Sequence, residues 1–393
     1  LTVNGAYVGN GGVLKLGTAL GNSGSVSDRL VLNGPGASAS GKTSVQVTNL
    51  GGLGALTTAN GINLITAQNG ATTTAQTTKD AFTLANGHVD AGAFEYRLYA
   101  ADANGAGENW YLRSTSTLPT IPPTSNNAVA PAAVAPAAAA APLPTYRAEV
   151  PLYAALPSVL RQGDVTMLSN LHRRMGDETA SLAPAADGGS ASRRGWARVI
   201  DGTSTIEQSG VTAPESNSSM QGLQAGVDLF ANGNWNAGLY AGQLRSDARV
   251  DGFYGLSFFS RGYAGQLRAD TTYLGGYATY ANPQGQYADF VLQYGHHDVT
   301  GTPVLGISYD SSGHSVTASA EAGQRFALGN GWGIEPQAQL IVNQQSLGRT
   351  LIAGALVAQD PATAVIGRLG VRIGGDFTTG MGRLLPYARL NIW

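Results

Sequence analysis

The sequence predicts an all-β protein, and three observations lead to that prediction. Glycine accounts for 54 of the 393 residues and charged residues for 12%, a composition typical of β-proteins with an apolar outer surface. Tyrosine, with 16 residues, outnumbers phenylalanine, with 9. From about residue 193 onward, apolar and polar residues alternate over long stretches, as in strands that face lipid on one side and a polar interior on the other.

The same composition excludes several classes of protein. No run of 18 apolar residues occurs, and mean hydropathy is −0.05, which excludes a helical membrane protein. A net charge of −2 gives no electrostatic basis for a nucleic-acid partner. The absence of cysteine removes disulfides and thiolate metal sites and fits a chain that crosses an oxidising compartment. Residue 1 is not methionine and opens in mid-pattern, so we expect a fragment at the N-terminus.

Short apolar runs punctuate residues 1–113 at intervals of about 15–18 residues. The runs are Val13–Leu16, Leu30–Leu32, Ser44–Val47, Ile62–Ile65 and Phe82–Leu84. This spacing favours one turn of a parallel β-helix per run over the alternative of a β-sandwich. Residues 92–113 predict an aromatic hairpin that caps the last turn, as such stacks require. Its members are Phe94, Tyr96, Leu98, Trp110 and Tyr111.

Two segments of different character separate the β-rich regions. Residues 115–145 are dominated by Pro and Ala, which predicts an extended spacer. Residues 146–178 predict the one helix of the chain, with Pro157 at a first helical position and Gly176 at the end. Its apolar side chains recur at steps of three and four residues: Leu160, Leu168, Leu171 and Met175.

The predicted helix is long enough to cross a bilayer but too polar to touch lipid. At about 1.5 Å per residue, roughly 20 residues give a rod of about 30 Å. Polar and charged residues interrupt it: Arg161, Gln162, Asp164, Arg173 and Arg174. Such a helix needs a polar sheath, and the alternating strands that follow predict one.

Nine long strands are predicted after the helix, joined by short turns and long loops in alternation, which is the plan of an outer-membrane barrel. They span about 193–201, 219–231, 234–249, 268–282, 285–299, 313–328, 331–345, 363–378 and 382–393. Aromatic residues near the strand ends predict the interfacial girdle: Trp196, Trp235, Tyr240, Tyr273, Tyr280, Tyr287, Trp332 and Tyr387.

Polar side chains within the strands are expected to face a wet interior. The glutamines are Gln224, Gln243, Gln293, Gln324, Gln337 and Gln339. The arginines are expected to pair there with carboxylates of the helix or the strands: Arg193, Arg194, Arg198, Arg325, Arg368 and Arg372.

Several segments, taken in order, resemble one protein family. They are YVGNGGVLKLGTALGNSGSVSDRLVLNG (7–34), GINLITAQNG (61–70), the segments AGAFEYRLY and NWYLRS within 91–114, YRAEVPLYAALPSVL with LHRRMGDE (146–178), RGWARVIDG (194–202), ATYANPQGQYADFVLQYG (278–295), AEAGQRFALGNGWGIEPQAQL (320–340) and LLPYARLNIW (384–393). The family is that of the pertactin-like, type Va autotransporters.

The resemblance implies a right-handed parallel β-helix end, similar to an autochaperone region, at 1–114 and a linker at 115–145. It implies a pore-spanning helical segment at 146–178 and an outer-membrane barrel of the twelve-strand type at 179–393. The implied function is to anchor and help secrete the protein's own passenger, an adhesin or virulence factor, at the surface of a Gram-negative bacterium, without enzymatic activity or cofactor. The implied partners are outer-membrane lipid, the barrel assembly machinery, periplasmic chaperones and a host ligand.

Two departures from the family pattern are visible. Nine strands are predicted where the family has twelve, so we expect a barrel truncated by about three strands, since an open sheet would leave strand edges in lipid. Family members that cleave themselves inside the pore use an Asn-Asn pair, and Ser169-Asn170 stands at that place. Asn170 could cyclise onto its own backbone, but the missing partner weighs against a processing site.

The remaining motifs give no catalytic, cofactor or metal site. Ser23 within Gly21–Ser25 resembles a protease nucleophile motif, but no histidine precedes it, and a polar turn is the better interpretation. His296 and His297 are adjacent and point to opposite faces of a strand, so they cannot share an ion. Asp177-Glu178 are interpreted as solvated acids. Two alternatives stay open: a channel or porin with an appended β-solenoid, and a passenger whose hydrolase activity lies upstream.

Overall fold

Two parallel sheets, whose strands alternate along the chain, form the N-terminal region. The computed structural model describes residues 1–73, 79–116, 142–168, 174, 194–257, 260–352, 355–380 and 382–393. The first strands are β1 (Thr2–Val3), β2 (Ala6–Thr18), β3 (Leu30–Asn33), β4 (Ser38–Asn49), β5 (Ile62–Gln68) and β6 (Phe82–Leu84). Strands β1, β3 and β5 lie in one sheet and β2, β4 and β6 in the other. Their inward side chains, including Leu30, Leu32 and Leu64, form one buried core.

The structural repeat is about twice as long as the spacing of the apolar runs suggested. Thr2 pairs with Val31 and Leu30 with Ile65, so successive strands of one sheet lie 29 and 35 residues apart. The prediction of one run per turn is therefore wrong. Each turn of the chain contributes a strand to both sheets, and each strand needs its own apolar run to face the shared core.

An aromatic hairpin closes this region. Strands β7 (Val89–Ala91), β8 (Phe94–Ala100) and β9 (Trp110–Arg113) are antiparallel, and β9 pairs with β5. Trp110 packs edge-on against Phe82 with ring centroids 5.3 Å apart. Of the five predicted cap residues, Tyr96, Trp110 and Tyr111 are buried, whereas Phe94 and Leu98 are half-buried.

Tyr96 fixes the cap to two loops of the parallel sheets. Its hydroxyl accepts from Ala55 N at 2.7 Å and reaches the carbonyls of Gly21 at 2.9 Å and Ala55 at 2.7 Å. The side chain is fully buried, and burial raises the pKa of its phenol above the ordinary value of 10.0.

Replacing Tyr96 with phenylalanine is expected to destabilise the N-terminal region by about 1–3 kcal/mol, because it leaves buried backbone groups without a partner. Wild-type stability should also fall above about pH 10, since the tyrosine ionises more easily in the unfolded chain than in the folded one. Urea unfolding at pH 8 and pH 11 checks both effects. Tyr99→Phe, at a half-buried site, is the matched control, and an equal loss in both variants would contradict the assignment.

One helix follows the cap. Strand β10 (Thr115–Ser116) pairs with β11 (Leu143–Pro144), and helix α1 spans Val150–Met167. The predicted start at Pro157 is wrong: Pro151 lies in the first turn, and Pro157 lies inside the helix. A proline there cannot donate to the carbonyl four residues earlier. That carbonyl, of Tyr153, accepts instead from Gln359 Nε2 at 2.8 Å, which explains how the helix continues.

A large antiparallel sheet makes up the C-terminal half. Its strands and small hairpins are β12 (Gly195–Glu207), β13 (Glu215–Asn232), β14 (Trp235–Gly252), β15 (Gly262–Ala281), β16 (Gln286–Pro303), β17 (Tyr309–Gln324), β18 (Phe326–Gly329), β19 (Trp332–Leu347), β20 (Thr350–Ile352), β21 (Ala355–Val357), β22 (Ala362–Gly375), β23 (Phe377–Thr379), β24 (Gly382–Leu384) and β25 (Tyr387–Ile392). The order β12-β13-β14-β15-β16-β17-β19-β22-β25 follows the sequence, with β18 paired to β19. Within the described residues, the sheet ends at β12 on one side and at β25 on the other, and these two strands do not pair with each other.

The two ends of this sheet differ. Short turns join strands at one end, at 233–234, 282–285 and 330–331, and the longer connection 376–386, with the small hairpin β23–β24, lies at the same end. Asn330 and Gly331 both have positive φ, as a tight hairpin turn requires. Longer connections, at 208–214, 253–261, 304–308 and 348–361, lie at the other end. The predicted loops were too long because β12 to β17 extend several residues further than the sequence pattern indicated. Within the described ranges, no helix has both the length and the apolar character needed to cross a bilayer.

Candidate functional site: the helix against the inner face of the sheet

The first half of helix α1 packs on an apolar patch of the sheet. Leu152, Leu156, Val159 and Leu160 are buried. They share a cluster with small and aliphatic side chains of strands β14 to β17: Ala248, Val250, Ala264, Leu267, Ala269, Val299 and Tyr309. Tyr153 stacks on Tyr309 with ring centroids 4.4 Å apart. The small residues of the sheet let the helix approach closely, so this half of the helix is packed as in a protein core.

The second half of the helix carries a fully buried carboxylate, Asp164, that is held by the sheet. Its Oδ1 accepts from the Tyr273 hydroxyl at 3.1 Å and the Ser315 hydroxyl at 3.0 Å. Its Oδ2 accepts from Asn343 Nδ2 at 2.8 Å. His297 Nε2 lies 3.7 Å from Oδ1. Four strands, β15, β16, β17 and β19, therefore converge on one helix residue, and neutral donors supply its hydrogen bonds.

The helix lies close to the inner face of the sheet beside this carboxylate. A side chain added at Gly163 would meet Leu244 Cδ2 and the Tyr273 hydroxyl, both at 3.3 Å. The backbone carbonyl of Asp164 also accepts from Gln293 Nε2 at 3.0 Å. A larger residue at 163 would force Leu244 or Tyr273 to shift by a few tenths of an ångström, so glycine favours the close approach that lets Asp164 reach its partners.

Sheet side chains also complete the C-terminal end of the helix. A helix leaves its last carbonyls without internal partners. Gln224 Nε2 donates to Met167 O at 2.7 Å, and one Arg198 nitrogen donates to the carbonyls of Thr166 and Met167, each at 3.2 Å. Arg198 also donates to Gln224 Oε1 at 2.7 Å. The first two strands therefore act as the helix cap.

A buried ion pair lies further towards the short turns. Arg174 contacts Asp289 in an ion pair in which both side chains are almost completely buried. It donates to the Thr279 hydroxyl at 2.6 Å, and its guanidinium carbon lies 3.9 Å from the centre of the Tyr277 ring. A second inward pair joins Arg368 to Glu321 at 3.0 Å, and the Tyr287 hydroxyl donates to the same glutamate at 2.7 Å.

The structure places the predicted helix residues as follows. Leu160 and Leu168 are buried, Leu168 with Tyr240, Tyr277, Val291 and Ile341. Arg174 is buried against Asp289, and of the arginines expected to pair inward with carboxylates, Arg368 contacts Glu321. Leu171, Arg173, Met175 and the possible processing residues Ser169 and Asn170 lie outside the described residues, as do Asp177 and Glu178.

The predicted aromatic girdle needs correction at four of its eight positions. Trp235, Trp332 and Tyr387 are exposed on the outer face, and Tyr280 lies beside Trp235 with ring centroids 5.3 Å apart. Trp196, Tyr240, Tyr273 and Tyr287 instead point inward, where Tyr240 donates to Gln293 Oε1 at 3.0 Å. Proximity to a strand end did not decide the face; the alternation along each strand did. The prediction that Gln243 faces the interior is likewise wrong, since this side chain faces outward.

Sequence reasoning missed the partners of Asp164. His297 is inward and buried between the Thr271 hydroxyl, 3.0 Å from Nδ1, and the Ser315 hydroxyl, 2.9 Å from Nε2. The signal was present in the alternation: polar residues recur at inward positions of β17 and β19, at Ser315, Thr317, Asn343 and Gln345.

The hydroxyl of Ser23, in the motif that resembles a protease nucleophile, holds a turn. It donates to Thr58 O and accepts from Thr58 N.

The chain between cap and helix is fixed to both regions. Glu95 N donates to Thr145 O at 2.9 Å, and Phe94 stacks on Tyr146 with ring centroids 5.5 Å apart. Gly255 N, in a long connection of the sheet, donates to Tyr146 O at 2.7 Å. Arg147 and Glu149 form a buried pair at 2.7 Å. The helix therefore enters the sheet from the end with the long connections.

A sheet of long alternating strands, with lipid-compatible side chains outside and a helix held by polar groups inside, defines an outer-membrane β-domain with an internal helix. Comparison with protein families gives two matches: the Autotransporter beta-domain over residues 195–393 and the Autochaperone Domain Type 1 over residues 1–98. The chain belongs to the autotransporter family. The all-β class and the resemblance found in the sequence are thereby confirmed, and the family places the domain in the outer membrane of Gram-negative bacteria.

Individual relatives agree with this assignment. The chain is 31% identical to the adhesin BmaC autotransporter of Brucella suis over 86% of its length, which is 10% of that protein. It is 30% identical to the pertactin autotransporter of Bordetella bronchiseptica over 79% of its length and 34% of that protein. The crystal structure of the β-domain of the Bordetella autotransporter BrkA is 30% identical, covering 51% of this chain and 78% of that one, with a TM-score of 0.38.

Proposed function

We propose that residues 179–393 form an outer-membrane translocator that anchors and helps to secrete the protein's own passenger, whose last part is residues 1–114. The observation that supports this most directly is the path of the chain: helix α1 lies against the inner face of the sheet and leads out to the cap at the end with the long connections. In outer-membrane barrels, long loops are extracellular and short turns periplasmic. The N-terminal region therefore lies at the cell surface.

The finer organisation follows from the same proposal. Residues 1–114 are the end of a β-helix that acts as an autochaperone, 115–145 a linker and 146–178 the segment within the pore. Unpaired strand edges are not tolerated in lipid, so the strands of this sheet are part of a closed barrel of the twelve-strand type. Insertion then requires the barrel assembly machinery and periplasmic chaperones. The relative BmaC is named as an adhesin, which supports a non-enzymatic passenger that binds a host surface.

Cysteine labelling tests the orientation cleanly because the chain has no cysteine. Val26→Cys places a thiol at a site that is 80% exposed in the N-terminal region, and Gln284→Cys places one in a short turn. On intact cells, a membrane-impermeant maleimide is expected to label the first variant and not the second. After the outer membrane is permeabilised, both should react. Labelling of the Gln284 variant alone on intact cells contradicts the proposed orientation.

Conductance in planar bilayers separates the translocator from the channel or porin alternative. The packed helix predicts a small conductance for the intact protein and a clear increase when residues 146–178 are deleted, because the deletion empties the pore. An intact protein that conducts as freely as the deletion variant would support the porin and refute the plugged pore.

A further inference from the structure

Three potential metal ligands share one face of the β7–β8 hairpin. Asp90 stands directly opposite Glu95 in the strand register, and His88 lies two residues before Asp90 and so on the same face. One ligand atom from each of the three residues lies within 4.8 Å of the other two. His88 Nε2 is 3.8 Å from Asp90 Oδ1. Like charges directly opposite each other destabilise a hairpin, so a bound cation between Asp90 and Glu95 would stabilise this one.

The neighbouring arginines leave this cluster short of positive charge. Arg147 pairs with Glu149 at 2.7 Å, and Arg97 pairs with Glu95 at 2.5 Å. Asp90 Oδ2 faces Arg147 Nε at 3.6 Å, which is too long for a hydrogen bond. Three carboxylates therefore meet two guanidinium groups, with one negative charge in excess.

One oxygen of Asp90 has no hydrogen-bond partner although it is buried. That atom is Oδ1, the oxygen nearest to His88. Buried polar atoms in folded proteins nearly always have partners, so an unpartnered oxygen 3.8 Å from a histidine nitrogen marks a place where a ligand would supply the missing contact.

We propose that His88, Asp90 and Glu95 bind a divalent transition-metal ion with the preferences of Zn²⁺. One nitrogen and two oxygen donors with an open fourth position match the ligand chemistry of zinc sites. Tetrahedral coordination places such ligands about 3.4 Å apart, which requires small side-chain rotations from the present separations. Arg147 Nε has no hydrogen-bond partner and lies 3.6 Å from Asp90 Oδ2, so a small rotation of the carboxylate on metal binding would make Arg147 its outer partner.

The site would brace the junction between cap and barrel. Asp90 lies on β7, Glu95 on β8 and His88 directly before β7, and Arg147 N donates to Ala93 O at 3.0 Å in the tight connection between the two strands. A bound ion would fix the hairpin that the chain contacts immediately before helix α1. His88 and Asp90 are about one-third exposed, so an ion can reach the site without unfolding it.

A second histidine pair supplies the decisive control. His296 and His314 face outward, directly opposite each other on β16 and β17, and could chelate an ion at the barrel surface. The double variant His296→Ala/His314→Ala removes this pair and leaves the proposed site intact. His88→Ala and Asp90→Asn remove ligands of the proposed site and leave the pair intact.

Isothermal titration of the purified chain in detergent with ZnCl₂ tests the proposal. The wild type and the double variant are expected to bind one ion with the same affinity at the proposed site, and His88→Ala and Asp90→Asn to bind it more than about 100-fold more weakly, since even outer-shell changes cost 10–100-fold. Circular dichroism checks that each variant is folded, and Asp90→Asn, nearly isosteric, guards against misfolding of the His88 variant. The proposal is overturned if the wild type does not bind, or if binding survives in both ligand variants and is lost in the double variant.

Discussion

Replacing Asp164 with alanine is expected to lower the free energy of unfolding of the C-terminal domain by about 3–5 kcal/mol, the cost of disrupting a buried, fully hydrogen-bonded charge. The substitution leaves the Tyr273 hydroxyl, the Ser315 hydroxyl and the Asn343 amide without their common acceptor. Because these donors come from three strands, removing the carboxylate should also weaken the attachment of the helix to the sheet. Urea unfolding of the detergent-solubilised protein measures the first effect, and bilayer conductance, expected to rise, measures the second.

Two matched variants sharpen this test. Asp164→Asn keeps the shape but turns an amide donor towards existing donors, so it should destabilise the domain nearly as much. Gln162→Ala, two residues away on a half-buried position, should change the unfolding free energy by less than about 0.5 kcal/mol. If Asp164→Ala unfolds at the same urea concentration as Gln162→Ala, the carboxylate does not hold the helix.

Replacing Arg174 with methionine is expected to destabilise the domain by about 3–5 kcal/mol, because it leaves the buried Asp289 without the guanidinium that contacts it. Asp289→Asn should lower the free energy of unfolding by a comparable amount, because it removes the carboxylate that contacts the buried arginine charge. Heat-induced unfolding on semi-native gels, followed by urea titration, measures both.

The double variant Arg174→Met/Asp289→Asn decides how the pair acts. With both charges removed, no uncompensated ion is left, so the combined loss should be well below the sum of the two single losses. Lys42, in an exposed ion pair with Asp80, supplies the control: Lys42→Met is expected to change stability by less than about 1 kcal/mol. Additive losses in the Arg174 and Asp289 variants would show that the two side chains act independently.

The sequence predicted the class of the fold better than the direction of individual side chains. Long alternating segments such as 268–282 and 285–299 overlap strands β15 and β16 in all but one residue each, since alternation over ten residues leaves little ambiguity. The face that Tyr273 or Tyr287 occupies depends on the phase of that alternation. Tyrosine suits either face, outside at the interface or inside with a hydroxyl partner, so residue type could not decide.

Other errors had tertiary causes. Pro157 looks like a helix start in sequence, and only the side chain of Gln359, more than 200 residues away, makes it acceptable inside the helix. The predicted repeat of the N-terminal region was half of the observed one, because each turn contributes one apolar run to each of two sheets that share one core. The convergence on Asp164 joins residues up to 179 positions apart, a relationship that no local pattern contains.

Two sets of hydrogen bonds to helix α1 differ in the distance along the chain that they span. Those that cap its C-terminal end, from Arg198 and Gln224, span 31 to 57 residues, whereas those that hold Asp164 span 109 to 179. Closing a shorter loop loses less chain entropy, so the first hairpin of the sheet can bind the helix end before the later strands arrive. We therefore expect the helix to act as a template on which β15 to β19 assemble in order, with the hydrogen bonds of the Asp164 carboxylate forming last.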